Sequence, residues 1–245
     1  MNFPGVFAPR RFGRLFASDA MNVSRDPTLM FGTLLSIMPA IAFHFGAEAM
    51  DRAAVAALGL DLLSRYVAPV AICLPAFIIG WVTGFLFLED RDDGPLLAVD
   101  VTPVGKGGIM TYRITVAAIL AVAVTSIGAP IMLPEAGWPM WALLSVLVAM
   151  QAVASALVLP ALARNKVEGL AITKLTNIVA IAPLLAVFPS PLRYLGGIVP
   201  TFWVGELLGL AGTSYLPLPA IIMLALTTHL AAVIFFYRLS ERRAG

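Results

Sequence analysis

Apolar runs long enough to cross a lipid bilayer recur along this chain and constrain it more than any other feature. Residues 67–88, 114–133 and 140–163 are nearly unbroken hydrocarbon, and about 20 such residues span a bilayer as a helix. Lipid offers no hydrogen bonds, so a crossing segment must satisfy its own backbone groups, which a helix does. Further runs near 28–47, 171–188 and 218–236 bring the expected number of spans to six. Composition agrees: 60% of the residues are hydrophobic and 12% are charged, about half the charged share of a soluble domain. The fold class expected is an all-α polytopic membrane protein, one transmembrane domain over residues 1–245. It comprises six transmembrane helices, an N-terminal interfacial helix and re-entrant half-helices before the last span.

The intervals between the runs carry the remaining information. Within 8–25, Phe12, Leu15, Phe16 and Met21 share one helical face, and Arg10, Arg11, Arg14 and Arg25 supply the polar surface. That pattern marks a helix lying in the headgroup layer. Arg10-Arg11 also fits a twin-arginine export signal, but the apolar run that follows is too long for one. Asp26-Pro27 is a helix-start signal for the first span. Residues 48–66 mix charges of both signs and read as an outer loop with a short surface helix. The longest polar interval is 89–113, which opens on Glu89, Asp90, Arg91, Asp92 and Asp93. Leu96, Leu97, Val99 and Val101 follow with helical spacing, and Thr102-Pro103 and Gly105-Lys106-Gly107-Gly108 break the chain. Residues 189–212 hold Pro189, Pro191, Pro200, Trp203 and the lone acid Glu206. Their apolar pieces are too short to cross, which points to re-entrant or surface half-helices.

Charge sets the orientation. With six spans, Arg10, Arg11, Arg14, Arg25, Arg91, Lys106, Arg113, Arg164, Lys166, Lys174, Arg238, Arg242 and Arg243 fall on one side. Arg52, Arg65 and Arg193 fall on the other. Basic residues accumulate on the cytoplasmic side, so both termini and 89–113 are expected in the cytoplasm of a multi-pass cell-membrane protein.

Catalytic signatures are sparse. The chain has no GxxxxGK[ST] phosphate loop, no HExxH and no GxSxG elbow. Cys73 is the single cysteine, which leaves no intramolecular disulfide and no cysteine-based metal site. Glu89, Asp90, Asp92 and Asp93 resemble a cation site only in composition; Arg91 interrupts them, and a docking surface or solvated helix cap is the preferred reading. The spans contain few polar groups, among them Ser36, Thr83, Gln151, Ser155, Thr176, Asn177 and His229. Ion-coupled carriers need buried ionisable residues, so this poverty weakens that class. The polar groups either line a path for amphiphilic cargo or act as helix-packing glue, and the two readings stay open here.

Four stretches together carry a resemblance: Arg25-Asp26-Pro27 at the first span, EDRDDGPLLAVDVTPVGKGGIMTYR, LPALARNKVEGLAITKL, and IVPTFWVGELL before the last span. In this order they resemble the permease subunits of ABC-2 type transporters, and most closely the small permeases described as fluoroquinolone export systems. The resemblance covers nearly the whole chain and implies a subunit with no catalytic residue, metal or cofactor of its own. ATP-Mg would be bound by a separate ABC nucleotide-binding ATPase, and a second permease subunit would complete a homo- or heterodimer. Membrane lipid and a small amphiphilic substrate (a drug, a lipid or a peptide) are the other partners implied; nucleic acid is not.

By the same resemblance, 89–113 is the coupling loop. Glu89, Asp92, Asp93, Leu96, Leu97, Val101, Pro103 and Arg113 would meet the ATPase, with Leu96–Val101 as a short helix. Arg10, Arg11, Arg14, Phe12 and Phe16 of the interfacial helix would form a second contact. Pro200, Trp203 and Glu206 would lie in short extracellular re-entrant helices. The rival classes are a secondary transporter or channel for a small amphiphile and, less well supported, a polytopic membrane enzyme.

Overall fold

The start of the first membrane segment shows how local chemistry sets the helix boundaries. The Asp26 carboxylate accepts from the backbone N–H groups of Thr28 at 2.8 Å and Leu29 at 3.3 Å, with Pro27 in the first turn. These N–H groups have no intrahelical partner, and a capping carboxylate supplies one. The computed structural model describes residues 9–92 and 105–244, and every long element in them is helical. Helix α1 spans Pro9–Arg25, α2 Pro27–Leu35, α3 Met38–Leu58, α4 Leu63–Asp92 and α5 Gly105–Met132. After a 3₁₀ turn at Pro134–Ala136 come α6 (Gly137–Leu162) and α7 (Lys166–Ala180). Two 3₁₀ segments, Ala182–Val187 and Pro191–Ile198, lead to the short α8 (Phe202–Leu207) and then to α9 (Leu218–Ala244).

Among the described residues, five helices are long and apolar enough to cross a membrane. A sixth span exists if α2 and α3, bent by 45° at their junction, count as one. The all-α polytopic expectation therefore holds, with changes of detail. The first span does not end near residue 47, and 48–66 is not mainly loop. Helix α3 continues to Leu58 through the alanines at 47, 49, 53, 54, 56 and 57, the residue type with the strongest helix propensity. It stops at Gly59, which takes the left-handed φ of 65° that suits glycine. Asp51 then fastens the turn, accepting from the Ser64 backbone N–H and hydroxyl, each at 2.7 Å. Gly105, Gly107 and Gly108 do not break the chain; they belong to the first turn of α5.

Helices α4 and α6 form the centre: 72% of the apolar window of each span is buried, against 28% for α5, 28% for the α7 span and 17% for α9. Lipid tails are as apolar as leucine, so helices associate in a membrane through close packing rather than hydrophobic drive. Gly80 and Gly84 allow this in α4. A Cβ on Gly80 would strike Ser155 and the backbone of Ala152 and Ala156, and one on Gly84 would lie 2.9 Å from the Leu159 side chain. Ala152, Ser155, Ala156 and Leu159 thus offer α6's closest face to α4. The spacing Gly80-x-x-x-Gly84 is itself a known sign of close helix contact.

Replacing Gly80 with valine should push α4 and α6 apart. Overpacking at such a site costs about 1–3 kcal/mol, and the purified protein should melt at a visibly lower temperature in detergent. Gly46→Val, at a glycine with open space around it, should leave the melting temperature nearly unchanged.

Candidate functional site

The ends of α4 and α5, which flank residues 93–104, converge with four other helices in one charged layer. Arg113 of α5 is 5% exposed and lies between two acids. Its Nε donates to Asp19 Oδ2 at 3.0 Å and its Nη2 to Asp19 Oδ1 at 2.9 Å, the bidentate geometry that guanidinium and carboxylate favour. Its Nη1 is 2.7 Å from Asp90 Oδ2, and the guanidinium also lies over the Phe87 ring at 5.2 Å. Asp19 belongs to α1 and Asp90 to α4, so one arginine joins three helices. Phe12 adds an edge-to-face contact with Tyr112 at 5.2 Å.

The remaining charges at 89–92 have comparable work. Glu89 pairs with Lys166 Nζ at 3.1 Å, and the Asp92 carboxylate accepts from the Lys166 backbone N–H at 3.1 Å. Arg91 donates to the carbonyls of Ala163 at 2.9 Å and Pro160 at 3.1 Å, and Arg243 of α9 donates to Leu162 at 2.7 Å. A helix C-terminus leaves its last carbonyls without partners; here arginines from α4 and α9 supply them for α6. The start of α7 is capped by Asn165, which accepts from the Glu168 N–H at 2.9 Å, while Glu168 accepts from the Arg164 N–H at 2.7 Å. This reciprocal arrangement is a variant of the capping box. Glu89, Asp90 and Asp92 are therefore engaged within the fold and are not a free acidic rim. Among the described residues, no three of His, Cys, Asp and Glu come close enough to hold a metal ion.

Of the expected coupling residues, Glu89, Asp92 and Arg113 fall in this layer. Asp93, Leu96, Leu97, Val101 and Pro103 lie outside the described residues. In α1, Arg10, Arg11 and Arg14 are exposed, Phe12 is half-buried, and Phe16 borders a 330 Å³ cavity shared with Asp19, Tyr112 and Arg113.

At the opposite end of the helices, the broken segment brings Pro200, Trp203 and Glu206 together. Trp203 is buried and donates from Nε1 to the Gly197 carbonyl at 2.9 Å. Glu206 is not a lone acid. Arg193 donates to both of its carboxylate oxygens, from Nε and, at 3.3 Å, from Nη2. Arg193 also donates to the carbonyls of Phe188 at 3.0 Å and Thr213 at 2.7 Å, and Tyr194 donates its hydroxyl to Glu206 at 3.1 Å. Tyr194 and Tyr215 flank the guanidinium at 5.1 and 5.3 Å. Burial works against the charge on Arg193, but the hydrogen bonds and charge of Glu206 outweigh it and hold its pKa above the ordinary value. Arg65 donates to the Gly209 carbonyl at 2.9 Å, which joins the start of α4 to this segment.

Most polar groups within the spans are occupied by their own helices. Thr83 donates to Ile79, Thr228 to Leu224 and Thr176 to Thr173. The Gln151–Ser155 pair of α6 differs, because it bonds side chain to side chain, Nε2 to Oγ at 3.1 Å.

These elements define a multi-pass α-helical membrane protein whose polar side chains gather at the two ends of an apolar bundle. The chain belongs to the Rv2686c-like family of fluoroquinolones export permease proteins, whose model matches residues 19–237. Two relatives named fluoroquinolones export permease protein, Rv2686c and MT2760, come from two strains of Mycobacterium tuberculosis. Each is 26% identical over 209 residues, covering 81% of this chain and 81% of the relative. No solved structure matches the chain significantly.

Removing Arg193 alone should strand Glu206 in a buried site, a loss of about 3–5 kcal/mol for a broken buried pair. Arg193→Leu should therefore melt well below the parent in detergent, and Arg193→Leu with Glu206→Leu should recover most of the loss. Arg113→Gln should release α1, detected as faster trypsin cleavage after Arg14 and Arg25 with the rest of the chain intact.

Proposed function

We propose that this chain is the membrane-spanning subunit of an ATP-driven exporter for planar, amphiphilic, drug-like molecules such as the fluoroquinolones in its relatives' names. The observation that carries the proposal is the family match across nearly all the spans. The chain has no phosphate loop of its own, so in this reading a separate ATPase supplies the energy. Residues 89–113 transmit the stroke of that ATPase, with Asp93, Leu96, Leu97, Val101 and Pro103 at the contact. The charged layer suits this role because α4 and α5, from which the loop departs, are tied there to α1, α6 and α7. Force applied between Asp92 and Gly105 would reach these helices through hydrogen-bonded groups rather than through lipid-exposed side chains.

In this reading both termini and the charged layer face the cytoplasm, as the distribution of basic residues favours. Residues 189–212 face outward, where Pro200, Trp203 and Glu206 lie in a segment that covers the bundle. Exposed apolar side chains on the outer faces of α5, α7 and α9, such as Ile127, Leu175 and Phe235, meet lipid or a second permease subunit.

Co-expression with an ABC ATPase encoded beside it tests the assignment. The two proteins should copurify, and norfloxacin should stimulate ATP hydrolysis in proteoliposomes. Leu97→Asp should abolish copurification or reduce norfloxacin-stimulated hydrolysis at least tenfold. Transport that persists without any ATPase and collapses with a proton uncoupler would overturn the ATP-driven reading in favour of a secondary carrier.

A further inference from the structure

A second site lies between the helices, away from both charged ends. A small, partly open cavity of about 100 Å³ is lined by residues of α4, α6, α7 and α9 and by Pro200 of the broken segment. Aromatic rings of Phe77, Trp81 and Phe236 make up much of its wall, and Gln151, Ser155 and Thr176 are its polar members. Gln151 is only 7% exposed. Its Nε2 is used on Ser155, and its Oε1 has no hydrogen-bond partner in the protein. A buried amide oxygen without a partner is costly in an apolar interior, and each such group calls for an explanation.

The cavity has a larger neighbour. A groove of about 680 Å³ lies between α2, α3, α4 and α7, lined by apolar residues and by Asn177. Trp81 belongs to the walls of both spaces, and Thr176 and Asn177 are adjacent residues of α7, one on each. Size divides the work between the two. The inner cavity is below the roughly 150 Å³ that takes a benzene molecule, so it admits the polar edge of a ring and not a whole drug. The groove has room for the rest. Apolar and aromatic walls with a few convergent polar groups are the general make-up of small-molecule sites.

We infer, on the export reading above, that groove and cavity form one substrate subsite within a single subunit. It takes a planar aromatic amphiphile that carries a hydrogen-bond donor at one edge. The ring system rests in the groove against Trp81, and its donor edge enters the cavity beside Gln151, whose Oε1 is covered in the unliganded protein and turns to accept from it. Gly80 has a part in this: its missing Cβ lets Ser155 approach α4, and Ser155 holds the Gln151 amide.

Norfloxacin, fluorescent and planar, is the probe. Binding to the purified chain in nanodiscs should weaken about tenfold in Gln151→Leu, the scale expected from losing one hydrogen bond. Trp81→Ala should weaken binding comparably, and Trp81→Phe much less. Ser155→Ala, which removes the acceptor of the Gln151 amide, should weaken binding and lower the melting temperature modestly; it serves as the second variant if Gln151→Leu misfolds. A purely structural role for Gln151 would lower the melting temperature and leave the Kd unchanged, which overturns the subsite. Failure of the parent chain to bind norfloxacin also overturns it. Transport by the complete exporter with binding insensitive to Gln151, Ser155 and Trp81 removes the subsite and leaves the export reading standing. Gln151-dependent binding without ATP-dependent transport does the reverse.

Discussion

The contact between α4 and α6 is the constraint on which the rest of the bundle depends. In water a helix pair is driven together by burying apolar surface, but in lipid that surface is already solvated by hydrocarbon. What remains is fit, and fit needs backbones to approach. Gly80 and Gly84 meet Ala152, Ser155, Ala156 and Leu159 at distances that leave no room for another carbon. The two helices then become the inner pair, and α5, α7 and α9 wrap them with one face each turned outward.

Polar chemistry is arranged around that axis by the cost of placing it elsewhere. An unsatisfied backbone or charged group in hydrocarbon costs several kcal/mol, and several charges here sit at helix ends with specific partners. Arg91 and Arg243 complete the carbonyl end of α6. Arg113 pairs with two carboxylates from two other helices. At the other end, Arg193 and Glu206 hold together a segment whose 3₁₀ and short α pieces leave many carbonyls outside a regular helix. The bundle is therefore closed by hydrogen-bonded networks at both ends and packed by shape in between.

The sequence made the fold class readable because hydropathy, capping and breaking residues are local signals. Asp26-Pro27 caps α2 as expected, residues 9–25 form an amphipathic helix, and the apolar pieces of 189–212 correspond to separate short helices. Less legible was anything that depended on distant partners. Asp19 and Arg113 are 94 residues apart, and Arg91 reaches a carbonyl 72 residues away. The sequence presents these only as charges near apolar runs. Glu206 reads as solitary because its partner, 13 residues earlier, is brought back by a turn that no short window reveals. The charges at Glu48, Asp51 and Arg52 disguised a helix, since alanine propensity and an Asp51 cap outweighed them. Gly80-x-x-x-Gly84 was a signal available in plain view, and it locates the tightest packing.

The Asp19–Arg113 pair also bears on how the chain is made. Helix α1 precedes its anchoring arginine by 94 residues, so α2, α3 and α4 are synthesised between the two. Until then α1 lacks that ion pair, and its arginines and exposed Phe16 suit the headgroup layer. Helix α1 is thus locked as α5 begins, before α6, α7, α8 and α9 have been made. Its docking requires Asp19, Asp90 and Arg113 to meet at one end of the bundle.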